Sequence, residues 1–408
     1  MLQNFFKKQR VYLDSAAATP VALAVMDSMR PYFADVFANA GALHEDGRNA
    51  AIALHEARMK IGNILVTRTN DIVVTSGGTE SNNLAIAGVV AALRKSGREY
   101  TDMEIISTAI EHPSVLEVLK SLEELGVCIL YAPVDSQGLI VQNDFKALLS
   151  PKTVLVTFAY ANSEVGTVQD VKAISRIVRL FRKEENNSLL PYVHVDASQA
   201  PLYLPCRMDS LGVELMSIDA GKCNGPKGIG LLALRGDVLL SPVIHGGSQE
   251  RGLRPGTVNV ALVVGCAKAL EIAQGGIEER VKKVTSLREF FYEKLAEAFP
   301  SMTVNGSRDH RIANNLNISI PHVDGEYAVI GLDTRGISAS TRSACKTNDP
   351  IEGEGGSHVL RALGAPDDVV LGAIRFSLSE QNTKQELTAT ISALREHTEV
   401  TRFAPLQR

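Results

Sequence analysis

Short apolar runs recur along this chain with helical-period segments between them, and that alternation restricts the possible folds more than any other feature. Asp71-Ile-Val-Val-Thr, Met103-Glu-Ile-Ile-Ser-Thr, Val127-Cys-Ile-Leu-Tyr, Thr153-Val-Leu-Val-Thr-Phe and Tyr192-Val-His-Val-Asp are each bounded by polar loops and read as buried strands. Apolar residues at helical spacing fill Glu80 to about Arg94, Pro113 to Leu125 and Val171 to Lys183. Strands that alternate with helices pair through crossovers, so the expected fold class is α/β, a mostly parallel sheet with helices on both faces. Gly228-Ile-Gly-Leu-Leu-Ala-Leu reads as the last strand of this unit. Beyond about Ala261 the pattern changes to long helices, Val263 to Ala273 and Ile277 to Phe299, followed by strands near Ile318 and Ile374. With 408 residues the chain exceeds one simple core, which predicts two domains. The larger is expected over 16–260, and the smaller, α+β, from 1–15 together with 261–408.

Composition excludes several function classes. A net charge of -4 leaves no basic footprint for direct nucleic-acid binding and no polybasic segment for a membrane surface. No apolar stretch approaches the roughly 20 residues that span a bilayer, and the N-terminal residues lack a signal-peptide core. The five cysteines are scattered without a Cys-x-x-Cys pair, which argues against a disulfide framework and against a zinc site. A cytoplasmic protein without a structural metal is expected. Cys128, Cys206 and Cys266 sit in apolar surroundings and read as buried packing residues, while Cys223 is open to either reading. Cys345 lies in a Gly-rich, charged stretch, so it is either incidental or a nucleophile.

In a doubly wound sheet, ligands lie at the carboxyl ends of the strands. Ser76-Gly-Gly-Thr79 leads from a strand into a helix, where backbone N–H groups and the helix dipole form an anion cradle. His112 starts the next strand-to-helix turn and offers a ring to stack on a flat group. Asp196 ends a strand, Gln199 follows it, and Lys222 sits on a glycine-flanked turn. An acid to keep a pyridine nitrogen protonated and an amine to form a Schiff base are what pyridoxal 5'-phosphate requires.

The ordered motifs carry a further reading. They run from Tyr12-Leu-Asp-Ser-Ala-Ala-Ala-Thr-Pro through Thr75-Ser-Gly-Gly-Thr-Glu-Ser-Asn-Asn, Glu111-His, Glu164-Val-Gly-Thr and His194-Val-Asp-Ala-Ser-Gln. They continue with Lys222 before Gly225-Pro-Lys-Gly, then Gln249-Glu-Arg-Gly-Leu-Arg-Pro-Gly-Thr, Ser343-Ala-Cys, Val359-Leu-Arg-Ala-Leu-Gly and Ile374-Arg-Phe-Ser-Leu. In this the chain resembles cysteine desulfurases of the NifS/IscS type, in the class V aminotransferase group of fold-type I pyridoxal-phosphate enzymes. The resemblance implies a mostly parallel seven-stranded sheet, a homodimer, L-cysteine as substrate, and a sulfur-acceptor protein such as an iron–sulfur scaffold or a tRNA-thiolation protein. It implies that Lys222 holds the cofactor and moves the substrate α-proton, that Asp196 pairs the pyridine nitrogen, and that Gln199 contacts the phenolic oxygen, with Asn162 and Ser163 nearby. His112 would stack on the ring, Gly78 and Thr79 would bind phosphate, and Thr257 would reach the phosphate of the other subunit. Arg375 would hold the substrate carboxylate and Cys345 would accept the sulfur.

Six residues depart from the family pattern. Asp219 and Gly221 stand where serine and histidine usually donate to the phosphate, Ser163 where a second asparagine is usual, Arg342 where glycine precedes Ser-Ala-Cys, and Ser379-Glu380 where Gly-Arg is usual. Like charges 4 Å apart repel by roughly 4 kcal/mol at an effective dielectric near 20, so Asp219 is expected to weaken cofactor retention. Alternatives therefore stay open, namely a desulfurase-like scaffold without activity and a related lyase such as selenocysteine lyase. Joint retention of Lys222, Asp196, Gln199, His112, Arg375 and Cys345 favours the working desulfurase.

Overall fold

A computed structural model describes residues 10–186, 189–341 and 356–401. Its first strand, β1 (Val11–Tyr12), lies outside the main sheet. The main sheet is built from β2 (Ile72–Thr75), β3 (Glu104–Ser107), β4 (Cys128–Tyr131), β5 (Thr153–Ala159), β6 (Tyr192–Asp196), β7 (Leu215–Asp219) and β8 (Gly230–Leu234). These seven strands are ordered β2-β8-β7-β6-β5-β3-β4. The pairs β3–β4, β3–β5, β5–β6 and β6–β7 are parallel, as the alternation of strands and helices requires. Only β8 runs the other way, antiparallel to both β7 and β2. The link from β7 to β8 is too short for a helical crossover, so the chain must return antiparallel. Since β2 and β7 both oppose β8, the carboxyl ends of β2, β6 and β7 open on one edge of the sheet.

Close approaches shape that edge. A Cβ on Gly230 would lie 2.5 Å from the carbonyl carbon of Gly77, so only glycine lets β8 pack beneath the turn after β2. Strands β5, β6 and β8 are buried along nearly their whole length between helix layers, which is why they read as continuous apolar runs. Cys128 is a correction to the sequence reading. It is exposed, not packed inside, because β4 is the last strand of the sheet and only one of its edges is covered.

The helix Glu45–Leu65 packs against Val260–Gly275, with Ala50 and Ala53 clustered on Val260. Past the long helix Ile277–Ala298, the strands β9 (Thr303–Val304), β10 (Asn315–Ser319) and β12 (Ala373–Ser377) form an antiparallel sheet in the order β12-β10-β9. Between them, β11 (Ile337–Ser338) pairs in parallel with β1. Phe291 meets Phe376 edge to face, with centroids 5.1 Å apart, and ties the helix to this sheet. The N-terminal segment continues from β1 onto β12, where Ser377 N–H donates to Leu13 O (2.7 Å) and Ser15 N–H to Ser377 O (3.1 Å).

Candidate active site

The open edge of the sheet collects most of the residues singled out by the sequence. Gly78, Thr79, His112, Asn162, Ser163 and Asp196 line one cleft, joined by Gln199, Asp219 and Lys222. They arrive on the turns after β2, β3, β5, β6 and β7, so five strand ends supply one site. Arg375 and Thr257 do not line it. Arg375 lies on β12, 1% exposed, and Thr257 is on an exposed loop. Cys345 and Arg342 lie outside the described residues.

Asp196 is held as an acceptor at the end of β6. Its Oδ1 accepts the Ser198 N–H (2.9 Å) and its Oδ2 accepts from Asn82 Nδ2 (2.8 Å). Burial pushes its pKa up, but hydrogen bonds from Ser198 and Asn82 and the nearby His112 outweigh that, so the carboxyl stays below its ordinary range. A buried acid whose ionised form is favoured, on the wall of a cleft, suits a protonated ring nitrogen. His112 caps the helix Pro113–Glu124, its Nδ1 accepting the Ser114 N–H (3.1 Å). The ring proton is thereby assigned to Nε2. Burial, then the positive charge of Lys222, lowers its pKa against the pull of Asp196 and Glu164, so the imidazole is neutral near pH 7.

Lys222 ends a 3₁₀ turn, Ala220–Lys222, that Asp219 caps through its own side chain. Lys227 on the same loop is directed elsewhere, with Nζ donating to Thr19 O at 2.8 Å. Of the two lysines, Lys222 is the one in the cleft. Gln199 donates from Nε2 to Ala16 O (3.0 Å). Asn162 uses its amide to hold the turn after β5. Its Oδ1 accepts from the N–H groups of Glu164 (2.8 Å) and Val165 (3.0 Å), and its Nδ2 donates to Ile110 O (2.8 Å). Its contribution to the cleft wall is therefore shape more than a free hydrogen bond. The guanidinium of Arg375 donates to Asp14 Oδ1 (2.7 Å) and to Ser163 O (3.0 Å), which links the small sheet to the cleft wall.

Sequence reasoning gave no role to Asn82, Ser114 or Glu111. Asn82 donates to both Asp196 and Ser114 Oγ (2.9 Å), so it joins the ring-facing acid to the helix that carries His112. The available signal is helical spacing, since Asn82 follows Thr79 by one turn on the same face of Gly78–Lys95. Glu111 is 2% exposed, and its Oε2 accepts the Ala159 N–H at 2.8 Å. Burial, with Asp196 adding to it, pushes its pKa up to about 8 despite hydrogen bonds from Thr108 and Ala159.

The donor set fits a flat phosphorylated pyridine at its ring end. The amine of Lys222 and the carboxylate of Asp196 flank the cleft, and a neutral imidazole is at hand to cover a ring face. At the other end the turn into Gly78–Lys95 supplies backbone N–H groups, and a Cβ on Gly78 would meet Ser198 Oγ at 2.8 Å and intrude on that space. Comparisons with known proteins show what the chain as a whole is similar to. Residues 11–389 match the family profile described as aminotransferase class-V. The chain is 39% identical to the cysteine desulfurase IscS of Dictyoglomus turgidum, over 95% of this chain and 94% of that one. It is 36% identical to the cysteine desulfurase IscS of Methanosarcina thermophila, over 96% and 92% respectively. A solved structure described as a NifS-like protein superposes with a TM-score of 0.87 at 34% identity, covering 96% of this chain and all of that one.

Proposed function

We infer the activity from one premise: the chain belongs to the class-V aminotransferase family and, within it, to the cysteine desulfurases. It is a pyridoxal-phosphate enzyme that converts L-cysteine to L-alanine and passes the sulfur to an enzyme thiol. The observation that carries this reading is the convergence of Lys222, Asp196 and His112 on one cleft from three strand ends, with the rival Lys227 turned away.

When bound, the cofactor supplies an electron sink for the substrate carbon skeleton. In the roles we propose, Lys222 holds it covalently and then carries the substrate α-proton on Nζ. Asp196 keeps its charge against the ring nitrogen, and His112 covers a ring face with its proton on Nε2. Gln199 and Ser163 face the phenolic edge, beside the turn that Asn162 shapes, while Gly78 and Thr79 offer backbone N–H groups to the phosphate. Arg375, oriented by Asp14, receives the substrate carboxylate. The Cys345 thiolate attacks the substrate sulfur, the new S–S bond forms as the C–S bond breaks, and the carbon left behind takes a proton to become alanine. Cysteine plus thiol thus yields alanine plus persulfide, with no outside oxidant or reductant.

The assembly and setting belong to the same proposal. We place the enzyme in the cytoplasm as a homodimer that hands sulfur to an acceptor protein, an iron–sulfur scaffold or a tRNA-thiolation protein. Four described cysteines are free thiols, and among the described residues no single helix is long and apolar enough to cross a membrane. Phe33, Phe37 and Leu43, close in sequence near the N-terminus, are each exposed, at 61%, 73% and 92%, as an interface between copies would require. Thr257 of the partner subunit would complete the phosphate end. The deciding measurement is the visible spectrum before and after cysteine, with alanine assayed in parallel. A yellow protein whose band shifts and which forms alanine supports the reading, and a colourless protein that forms none overturns it.

A further inference from the structure

The phosphate end of the cleft already contains an anion. Asp219 ends β7, and its two carboxylate oxygens are shared between the two backbone groups nearest that end. Oδ1 accepts the Gly221 N–H at 2.9 Å and Oδ2 accepts the Gly78 N–H at 3.4 Å. Gly78 is the first residue of an 18-residue helix, so Oδ2 lies where the helix dipole attracts negative charge. Helix capping by a carboxylate is ordinary, but this cap comes from a distant strand and stands among Lys222, Thr79 and Ser198 in the cofactor cleft.

The neighbouring charges do not neutralise it. Arg254 is engaged by Glu80 at 2.9 Å. Glu80 in turn accepts the Ser76 N–H at 2.6 Å, so a second acid already occupies the flank of the same turn. Lys227 is held by Thr19 O. Among the described residues Asp219 makes no ion pair.

Resting on the pyridoxal-phosphate reading above, we propose that Asp219 is a built-in competitor for the phosphate cradle. Its carboxylate holds the Gly78 N–H until the cofactor phosphate displaces it. The phosphate must break that hydrogen bond and then sit beside the displaced carboxylate, so its net contribution to binding is small. The ring end, held by Lys222 and Asp196, carries most of the affinity. Cofactor is accordingly exchangeable in this chain, and the site discriminates weakly between pyridoxal phosphate and its dephosphorylated form, pyridoxal.

The test titrates the full-length protein with pyridoxal phosphate and, separately, with pyridoxal, following the visible band and its borohydride-reducible link to the protein. Parent, Asp219→Asn and Asp219→Ser are compared. Asparagine keeps an oxygen for the Gly221 N–H and removes the charge, so it also guards against a variant that merely fails to fold. Both variants are expected to gain more than about tenfold in affinity for pyridoxal phosphate, about 1.4 kcal/mol, while pyridoxal affinity stays put. Unchanged or weaker binding of pyridoxal phosphate overturns the proposal. So does an equal gain for both ligands, which would mean that the carboxylate acts on the Lys222 turn and not on the phosphate. If neither ligand forms a reducible link in parent or variants, the pyridoxal-phosphate reading itself falls, and the proposal with it.

Discussion

At the scale of single residues, Lys222 and Lys227 share one loop but face different surroundings, and that difference is testable. Lys222→Ala should abolish the visible band and the borohydride-reducible link and reduce alanine formation to background, whereas Lys227→Ala should keep both. Cys345→Ser should bind cofactor as the parent does and form no persulfide, because a hydroxyl at neutral pH is neither ionised nor soft enough to accept sulfur. Cys223 cannot take over, since burial, with Asp219 adding to it, pushes its thiol up to about 12. Glu111 gives a pH signature. An unfolded glutamate ionises near pH 4.5, whereas the buried one keeps its proton to about 8, so the unfolded state binds fewer protons in that window. Stability should therefore fall as pH rises from about 5 to 8, by about 1.4 kcal/mol per unit from this group. Glu111→Gln should flatten that slope in urea denaturation series. Lys222, Asp196 and His112 were legible in the sequence because each ends an apolar run or starts a turn. Glu111 and Asn82 were not, because their work is to hold other side chains, and spacing does not show which side chain they hold.

Among the elements, strands with continuous apolar runs were read with their bounds nearly in place, β6 over Tyr192–Asp196 and β5 from Thr153. The strand β7 escaped because Ser217 and Asp219 interrupt its apolar run, and its last residues look like part of the lysine turn. The 21-residue helix Glu45–Leu65 escaped for another reason. Until its last turn, where Ile61 and Leu65 are buried, its buried face is glycine and alanine, which barely register as apolar periodicity. The N-terminal segment was read as part of the smaller domain; in the structure it pairs with β11 and β12. Its main electrostatic tie is Asp14 to Arg375, whose guanidinium is nearly sealed from solvent. Asp14→Ala would leave a buried charge uncompensated, at a cost of about 3–5 kcal/mol. Unfolding by urea should show that loss, and the Michaelis constant for cysteine should rise as Arg375 loses its orientation.

For the whole molecule, the exposed apolar residues near the N-terminus predict how copies associate. If the proposed homodimer forms through them, Phe37→Asp combined with Leu43→Asp should shift the sedimenting species from dimer to monomer, because charge in a contact core is not readily desolvated. The same monomer should lose cofactor faster if Thr257 of the partner subunit completes the phosphate end. The closure of the N-terminal segment onto β12 also sets a timetable for synthesis. The seven-stranded sheet is complete once Leu234 has been made, and with it every strand end that reaches the cofactor cleft. Arg375 is added about 140 residues later, roughly 7–28 s at 5–20 residues per second. Until then Asp14, present from the outset, has no guanidinium to meet. On the ribosome, the stretch of about 140 residues between Leu234 and Arg375, roughly a third of the chain, therefore separates completion of the proposed cofactor cleft from arrival of the residue proposed to hold the substrate.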